Sequence, residues 1–150
     1  MLKILRNFGL VAAASLVMTM PVAAQTTVQL QIGSSEIVID GTVQHIAEPV
    51  IIDQRAVVPL RPVIEALGGS VLWNETLRFI TIRDHIGYNE IILKINSHDS
   101  VVNAGTGPRL DVPPMLIDGV AKVPISFVST HLGFNTEWNA EEQTITITRN

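Results

Sequence analysis

Apolar and polar residues alternate along several short stretches of this chain. Val28, Leu30 and Ile32 fall on one side of an extended segment, with Gln29 and Gln31 on the other. Ile37 and Ile39 continue the pattern up to Asp40-Gly41, a turn signal. Ile80-Thr81-Ile82 and Ile145-Thr146-Ile147 show the same period of two. Such alternation, bounded by Gly, Asn and Asp, predicts short antiparallel strands with one buried face. Helical spacing occurs in two places. Leu60, Val63, Ile64 and Leu67 stand at i, i+3, i+4 and i+7, and Ile125, Val128 and Leu132 form a second stripe. Pro62 suits a first turn, where its missing N–H costs nothing. Gly68 and Gly133 follow as left-handed stops, and Ser126 is the expected N-cap of the second helix. Each helix is about two turns long. Isolated helices below about 12–15 residues are marginal in water, so both must dock on a sheet.

The pattern is written twice. Val58-Pro59-Leu60, Val63, Leu67-Gly68, Trp73-Asn74 and Ile80-Thr81-Ile82 return 65 positions later as Val123-Pro124-Ile125, Val128, Leu132-Gly133, Trp138-Asn139 and Ile145-Thr146-Ile147. A hairpin follows each helix, turning at Asn74-Glu75-Thr76-Leu77 and at Asn139-Ala140-Glu141-Glu142. An Asn opening a turn can bond its own backbone two residues on. The front halves repeat less cleanly. Ile32 to Asp40 resembles Ile95 to Asn103 at an offset of 63, and Pro49 matches Pro114 at 65. Ala104-Gly105-Thr106-Gly107-Pro108 reads as the loop that absorbs the difference. It is no phosphate cradle, lacking the Lys-Ser/Thr ending and a following helix. The expected fold is α+β: a tandem repeat of small, mainly antiparallel β-sheets, each packed on one short α-helix. The units span about 28–84 and 90–149, joined at His85-Ile86-Gly87-Tyr88, a link too short to keep them apart. Neither unit is large enough to bury its own apolar face well.

The first residues stand outside this pattern. Lys3 and Arg6 precede an almost wholly apolar run from Phe8 to Met20, and Pro21 leads to Val22-Ala23-Ala24 before Gln25. Residues 1–24 read as a secretory signal peptide. The apolar run is short against the roughly 20 residues that span a bilayer, so no stable membrane span is expected after cleavage. Loss of Lys3 and Arg6 takes the formal charge from −4 to −6. Such a surface does not suit nucleic acid, which needs basic patches to displace counterions. The chain has no cysteine, which excludes disulfides and thiolate metal sites; packing must hold the fold.

Val57-Val58-Pro59-Leu60-Arg61, Glu65-Ala66-Leu67-Gly68 and Val71-Leu72-Trp73-Asn74 resemble the copper amine oxidase N-terminal-like module, also called a stalk domain. Ile39-Asp40-Gly41 and Pro49-Val50-Ile51-Ile52-Asp53 fit its upstream strand, turn and strand. The second copy fits through Val102-Asn103, Pro114-Met115-Leu116-Ile117-Asp118-Gly119, Val123-Pro124 and Leu132-Gly133. The resemblance runs from about Val28 to Thr148 and departs at Ser126 and Thr130-His131, where the family commonly has Arg and Glu-Ala. It implies one domain over 25–150 with no chemistry of its own, of a kind found in exported bacterial proteins, alone or beside wall-associated domains. It implies no copper site, for the histidines and modifiable tyrosine of the oxidase's catalytic domain are not supplied here.

Site by site, the residues give no catalytic set. His45, His85, His98 and His131 lack metal-ligand spacing, and neither a metal nor another cofactor is expected. Ser126 and His131 stand five apart on a helix, hence on different faces, with no third residue to orient the histidine. Glu75, Glu141 and Glu142 border turns and do not read as facing carboxylates across a cleft. Arg61 and Glu65 can pair at i, i+4. Trp73 and Trp138 occupy matched places after each helix, which points to the core and predicts a cost of several kcal/mol for Trp138→Ala. Exposed instead, they would make sugar-stacking platforms. Arg61, Glu65, Trp73 and Trp138 are therefore the candidate recognition patch. The functional expectation is a non-catalytic, secreted or extracytoplasmic module for binding or assembly in the bacterial cell envelope. Its partner is an envelope protein or a cell-wall polymer, and a homodimer by sheet-edge pairing is open to it. The alternative is a carbohydrate- or peptidoglycan-binding module using exposed aromatics, and a small hydrolase or metalloenzyme comes third.

Overall fold

The computed structural model describes residues 25–149. The expected signal peptide, 1–24, lies outside the described residues. From the N-terminal side the chain forms strands β1 (Thr26–Gln31), β2 (Glu36–Ile39), β3 (Thr42–His45), β4 (Val50–Ile52) and β5 (Arg55–Pro59), then helix α1 (Leu60–Ala66). Strands β6 (Gly69–Asn74), β7 (Phe79–Asp84), β8 (Glu90–Lys94), β9 (Ser100–Val102) and β10 (Gly105–Thr106) follow. The chain continues with β11 (Met115–Ile117), β12 (Val120–Pro124), helix α2 (Ile125–Leu132), β13 (Asn135–Asn139) and β14 (Thr144–Arg149). This is a mainly antiparallel α+β architecture with two short helices, as the alternation predicts.

The strands form three sheets. Two have five strands, in the orders β13-β14-β1-β2-β3 and β10-β9-β8-β7-β6; the third has four, β11-β12-β5-β4. Residues from both ends of the chain meet in the first, where β1 pairs with β14 over six positions from Thr26↔Arg149 to Gln31↔Thr144. In the four-stranded sheet β5 pairs with β12, with Val58 opposite Val123. Val57, Val58 and Pro59, like Lys122, Val123 and Pro124, are all buried, so period two is lost where both faces of a strand are covered. The buried Lys122 places its Nζ 2.7 Å from the carbonyl oxygen of Glu48, to which it donates.

Four two-residue turns close hairpins. Positive φ at Asp40 and Gly41, Asp53 and Gln54, Asn103 and Ala104, and Asp118 and Gly119 gives each the form whose twist matches the flanking strands. This corrects the reading of 104–108 as a loop. Asn103-Ala104 is itself the turn, and Gly105 and Thr106 pair with Val102 and Val101 as β10. A Cβ on Gly107 would lie 2.3 Å from Ser100 Oγ and 2.8 Å from Val102 Cγ2, so a larger residue there has to displace those side chains. His85–Tyr88, the expected link, is the turn between paired β7 and β8, closed by Asp84 N–H donating to Asn89 O at 2.8 Å.

The helices form as their stripes predict, and both start at a proline. Pro59 and Pro124 stand at the N-caps, each in extended conformation and without a side-chain cap. Ser126, expected as N-cap, sits one residue inside α2. The reason is that β12 ends at a proline whose fixed φ leads straight into the helix. Gly133 closes α2 in the left-handed region at φ 76°, and Phe134 N–H donates to Ser129 O at 2.9 Å. Leu60, Val63, Ile64 and Leu67 are buried, as are Ile125, Val128 and Leu132, with Ile80, Ile82, Ile145 and Ile147 from the sheets. Together with Val28, Leu30, Ile37, Ile91 and Leu93 they make one core. At roughly 1.5–3 kcal/mol per large apolar side chain, this core is the main source of stability.

Candidate functional site

Trp73 is not in the core. It stands 38% exposed and Trp138 48% exposed, against 6% for Val71 two residues earlier on the same strand. The cause is length. A helix of seven residues is about 10 Å long, whereas the six residues of β6 reach about 20 Å. Helix α1 covers Val71 and ends before Trp73. Strand β6 is also an edge strand, so β7 alone flanks Trp73, through its pairing with Ile80. Trp138, opposite Ile145, is left open in the same way at the end of edge strand β13.

The turn of β11 and β12 faces the uncovered end of β6. Between them lies a groove of about 630 Å³. Val71 and Ile80 line it from the sheet, Leu60 and Pro62 from the helix, and Leu116 and Val120 from the opposing hairpin. Trp73 also lines it, and Arg61, Glu75 and Arg78 bring charge to it. Turn chemistry fixes the Trp73 end: Asn74 Oδ1 accepts from Leu77 N–H at 2.9 Å, and Arg78 takes φ 57° to bring the chain back. Asn139 does the equivalent for Glu141 and Glu142 N–H.

The structure gathers part of the predicted patch. Arg61 and Trp73 line one groove. Glu65 accepts from Arg61 Nη1 at 3.4 Å and lies with it on a second, shallower cavity beside Ile39 and Gln44. Both side chains are more than half exposed, so this pair contributes at most a few tenths of a kcal/mol. Trp138 borders a different, polar cavity with Gln29, Glu137 and Thr146. The matched tryptophans therefore do not form one platform. Leu116 and Val120, which close the groove, were not singled out in the sequence. They lie more than forty residues from Trp73, and no local spacing announces the contact.

The histidines are scattered. His45 is on β3. His85 Nε2 lies 2.9 Å from Ser70 Oγ. His98 Nδ1 lies 2.6 Å from Leu110 O, and the His131 ring packs against Phe127 at 4.5 Å. Among the described residues no group of three or more His, Cys, Asp or Glu is placed to hold a metal ion. Ser126 and His131 both border one cavity of about 210 Å³, and Asp111, which also lines it, is paired with Arg55. No helix among the described residues is long and apolar enough to cross a membrane.

No curated protein and no solved structure matches the chain. One family profile does, that of the copper amine oxidase N-terminal domain, and it spans residues 40–147. The match takes in both helices, the hairpin after α1, all but the last two residues of the hairpin after α2 and the whole four-stranded sheet, and the chain belongs to the copper amine oxidase N-terminal domain family.

Proposed function

We propose that this chain is a non-catalytic binding or assembly module of the bacterial cell envelope, exported by a signal peptide over 1–24. We read it as two interleaved copies of one unit. The family supports the first part, since the N-terminal domain of copper amine oxidases is a non-catalytic, stalk-like domain. The strand orders support the second. Read from β6, one five-stranded sheet runs β6-β7-β8-β9-β10 and the other β13-β14-β1-β2-β3, so corresponding strands keep corresponding places. Val58 and Val123, themselves 65 positions apart, face each other at the centre.

The observation that carries the binding reading is the open ring of Trp73 beside an apolar groove. Small-ligand and peptide sites share that form: an apolar lining with a few polar groups for orientation. Protein partner and wall polymer both fit it. The exposure of Trp73 favours the polymer as a specific second reading, because a tryptophan face matches the apolar face of a pyranose. The chain has two tryptophans, so intrinsic fluorescence reports on them directly. Titration of the mature chain with soluble peptidoglycan fragments is expected to shift emission in the wild type and in Trp138→Ala but not in Trp73→Ala. An unchanged signal at about millimolar sugar, roughly 4 kcal/mol of binding, removes the polymer reading. A photo-crosslinking residue at position 73, used in the native envelope, then tests the protein reading. Adducts no more frequent than those from exposed position 88 would sink it.

A further inference from the structure

We infer that the outer face of the β6–β10 sheet is a contact surface for a second copy of this chain. The two five-stranded sheets supply an internal comparison, because they carry their strands in the same order. Across the middle of one outer face runs the row Leu72, Thr81, Ile92, Val101, each residue opposite the next. The row in the same place on the other sheet is Glu137, Thr146, Gln29, Val38. Leu72 thus stands where the other sheet has a glutamate, and Ile92 where it has a glutamine. Both rows face away from the core, whose side is marked by Ile82, Ile91, Ile145 and Val28. Folding does not require apolar residues in this row, since the polar version packs on the same core. Leu72 is 48% and Val101 37% exposed. Three apolar side chains, Leu72, Ile92 and Val101, aligned across one face of a small domain mark a surface made to be covered.

Charge specifies the occupant. On β8 the face reads Glu90, Ile92, Lys94, with the two charges equally far from Ile92. On β7 it reads Phe79, Thr81, Arg83. Within the chain Arg83 pairs with Glu90 at 2.7 Å, and Lys94 lies over the Phe79 ring at 5.7 Å. A second copy related by a two-fold axis along the apolar row sets Ile92 on Ile92. That rotation brings Glu90 over Lys94 of the other copy and Arg83 over the other Phe79 ring. Glu90, Lys94 and Arg83 then each meet an opposite charge or an aromatic face, which is the self-complementarity a two-fold contact demands. The face is about 24 Å across five strands and about 17 Å along them. That is about 400 Å² a side, below the roughly 800 Å² a side of a stable specific interface, so the dimer is weak and reversible. It uses the face of the sheet and leaves edge strands β6 and β10 unpaired.

Sedimentation velocity of the mature chain, from about 1 μM to about 1 mM, is expected to show a monomer passing to a dimer. Leu72→Glu with Ile92→Gln, the residues the other sheet carries, should leave a monomer throughout with an unchanged thermal midpoint. Lys94→Glu and Glu90→Lys should each weaken the dimer at least tenfold. Mixing these two variants should restore it, because the mixed pair regains both Glu–Lys contacts. A wild type that stays monomeric to the top concentration overturns the inference. So does a dimer unaffected by the apolar changes, or by the charge changes, which would place the contact at a sheet edge or elsewhere.

Discussion

Asp84 has a fully covered side chain and still carries charge. Its Oδ1 accepts from Arg149 Nη1 at 2.6 Å, and its carboxylate also takes the N–H groups of Ile86 and Gly87. Burial alone pushes its pKa up. The Arg149 hydrogen bond, the two backbone donors and the Arg149 charge outweigh that and hold it below the ordinary value of 3.8. Because the folded value is depressed, the stabilisation is complete above pH 3.8. It is lost as pH falls through 3.8 towards the folded pKa. Asp84→Asn leaves Arg149 nearly buried without its counter-charge, which costs about 3 kcal/mol at neutral pH. Urea unfolding of both proteins should show this gap narrowing on acidification; an equal gap at pH 7 and well below pH 3.8 would mean that charge is not its source. The tryptophans give the opposite case. With the Trp138 residue 48% exposed, Trp138→Ala should cost about 1–2 kcal/mol rather than the 3–5 of a core aromatic. A loss of 3 kcal/mol or more would put the ring back inside.

At the scale of the element, two glycines beside the helices separate backbone conformation from close packing. Gly133 is left-handed, and a Cβ there meets nothing within 4 Å. Gly133→Ala should therefore cost only the conformational term, about 1–2 kcal/mol. Gly69 opens β6 with an ordinary φ, but a Cβ there would lie 2.6 Å from Arg83 O and 2.7 Å from Ile64 Cγ2. Alanine at that position must push β6 off β7 or off α1, so Gly69→Ala should be the worse substitution, at about 3 kcal/mol. Equilibrium urea unfolding would decide; Gly133→Ala losing more than Gly69→Ala would contradict this account of the α1–β6 contact. The same short helices leave the far ends of β6 and β13 open, which produces the Trp73 groove.

For the whole molecule, the interleaving of strands decides how it can be divided. Strand β1 has β14 along its full length, and β5 has β12 beside Val57, Val58 and Pro59. A chain that stops at Tyr88 keeps one stripe, one helix and the hairpins β2–β3, β4–β5 and β6–β7. It loses β14 from beside β1, β12 from beside β5 and β8 from beside β7, and exposes Val28, Leu30 and Val58. Such a half should lack cooperative unfolding and a folded far-ultraviolet spectrum. The two halves, 25–88 and 89–150, should recover both when mixed at equal concentration. A first half that melts cooperatively by itself would show that it closes its own core.

What the residues showed unaided were the local events. Val28, Leu30 and Ile37 marked the buried sides of strands, and the Leu60 and Ile125 stripes marked the helices. Gly68 and Gly133 marked their ends, and Asp40-Gly41 a hairpin. Each follows from periods of 2 and 3.6 and from the φ a residue tolerates, which neighbouring residues alone express. The family, too, was legible in the doubled Val-Pro-Leu/Ile and Trp-Asn segments. Three things waited for the tertiary structure. One was that β14 completes the sheet of β1. Another was that a strand outruns its helix and leaves Trp73 in the open. The last was that Leu116 and Val120 close a groove over it. Pairing partners and the edges of a core depend on residues far apart in the chain, and the pattern around any one residue carries no record of what comes to lie across from it.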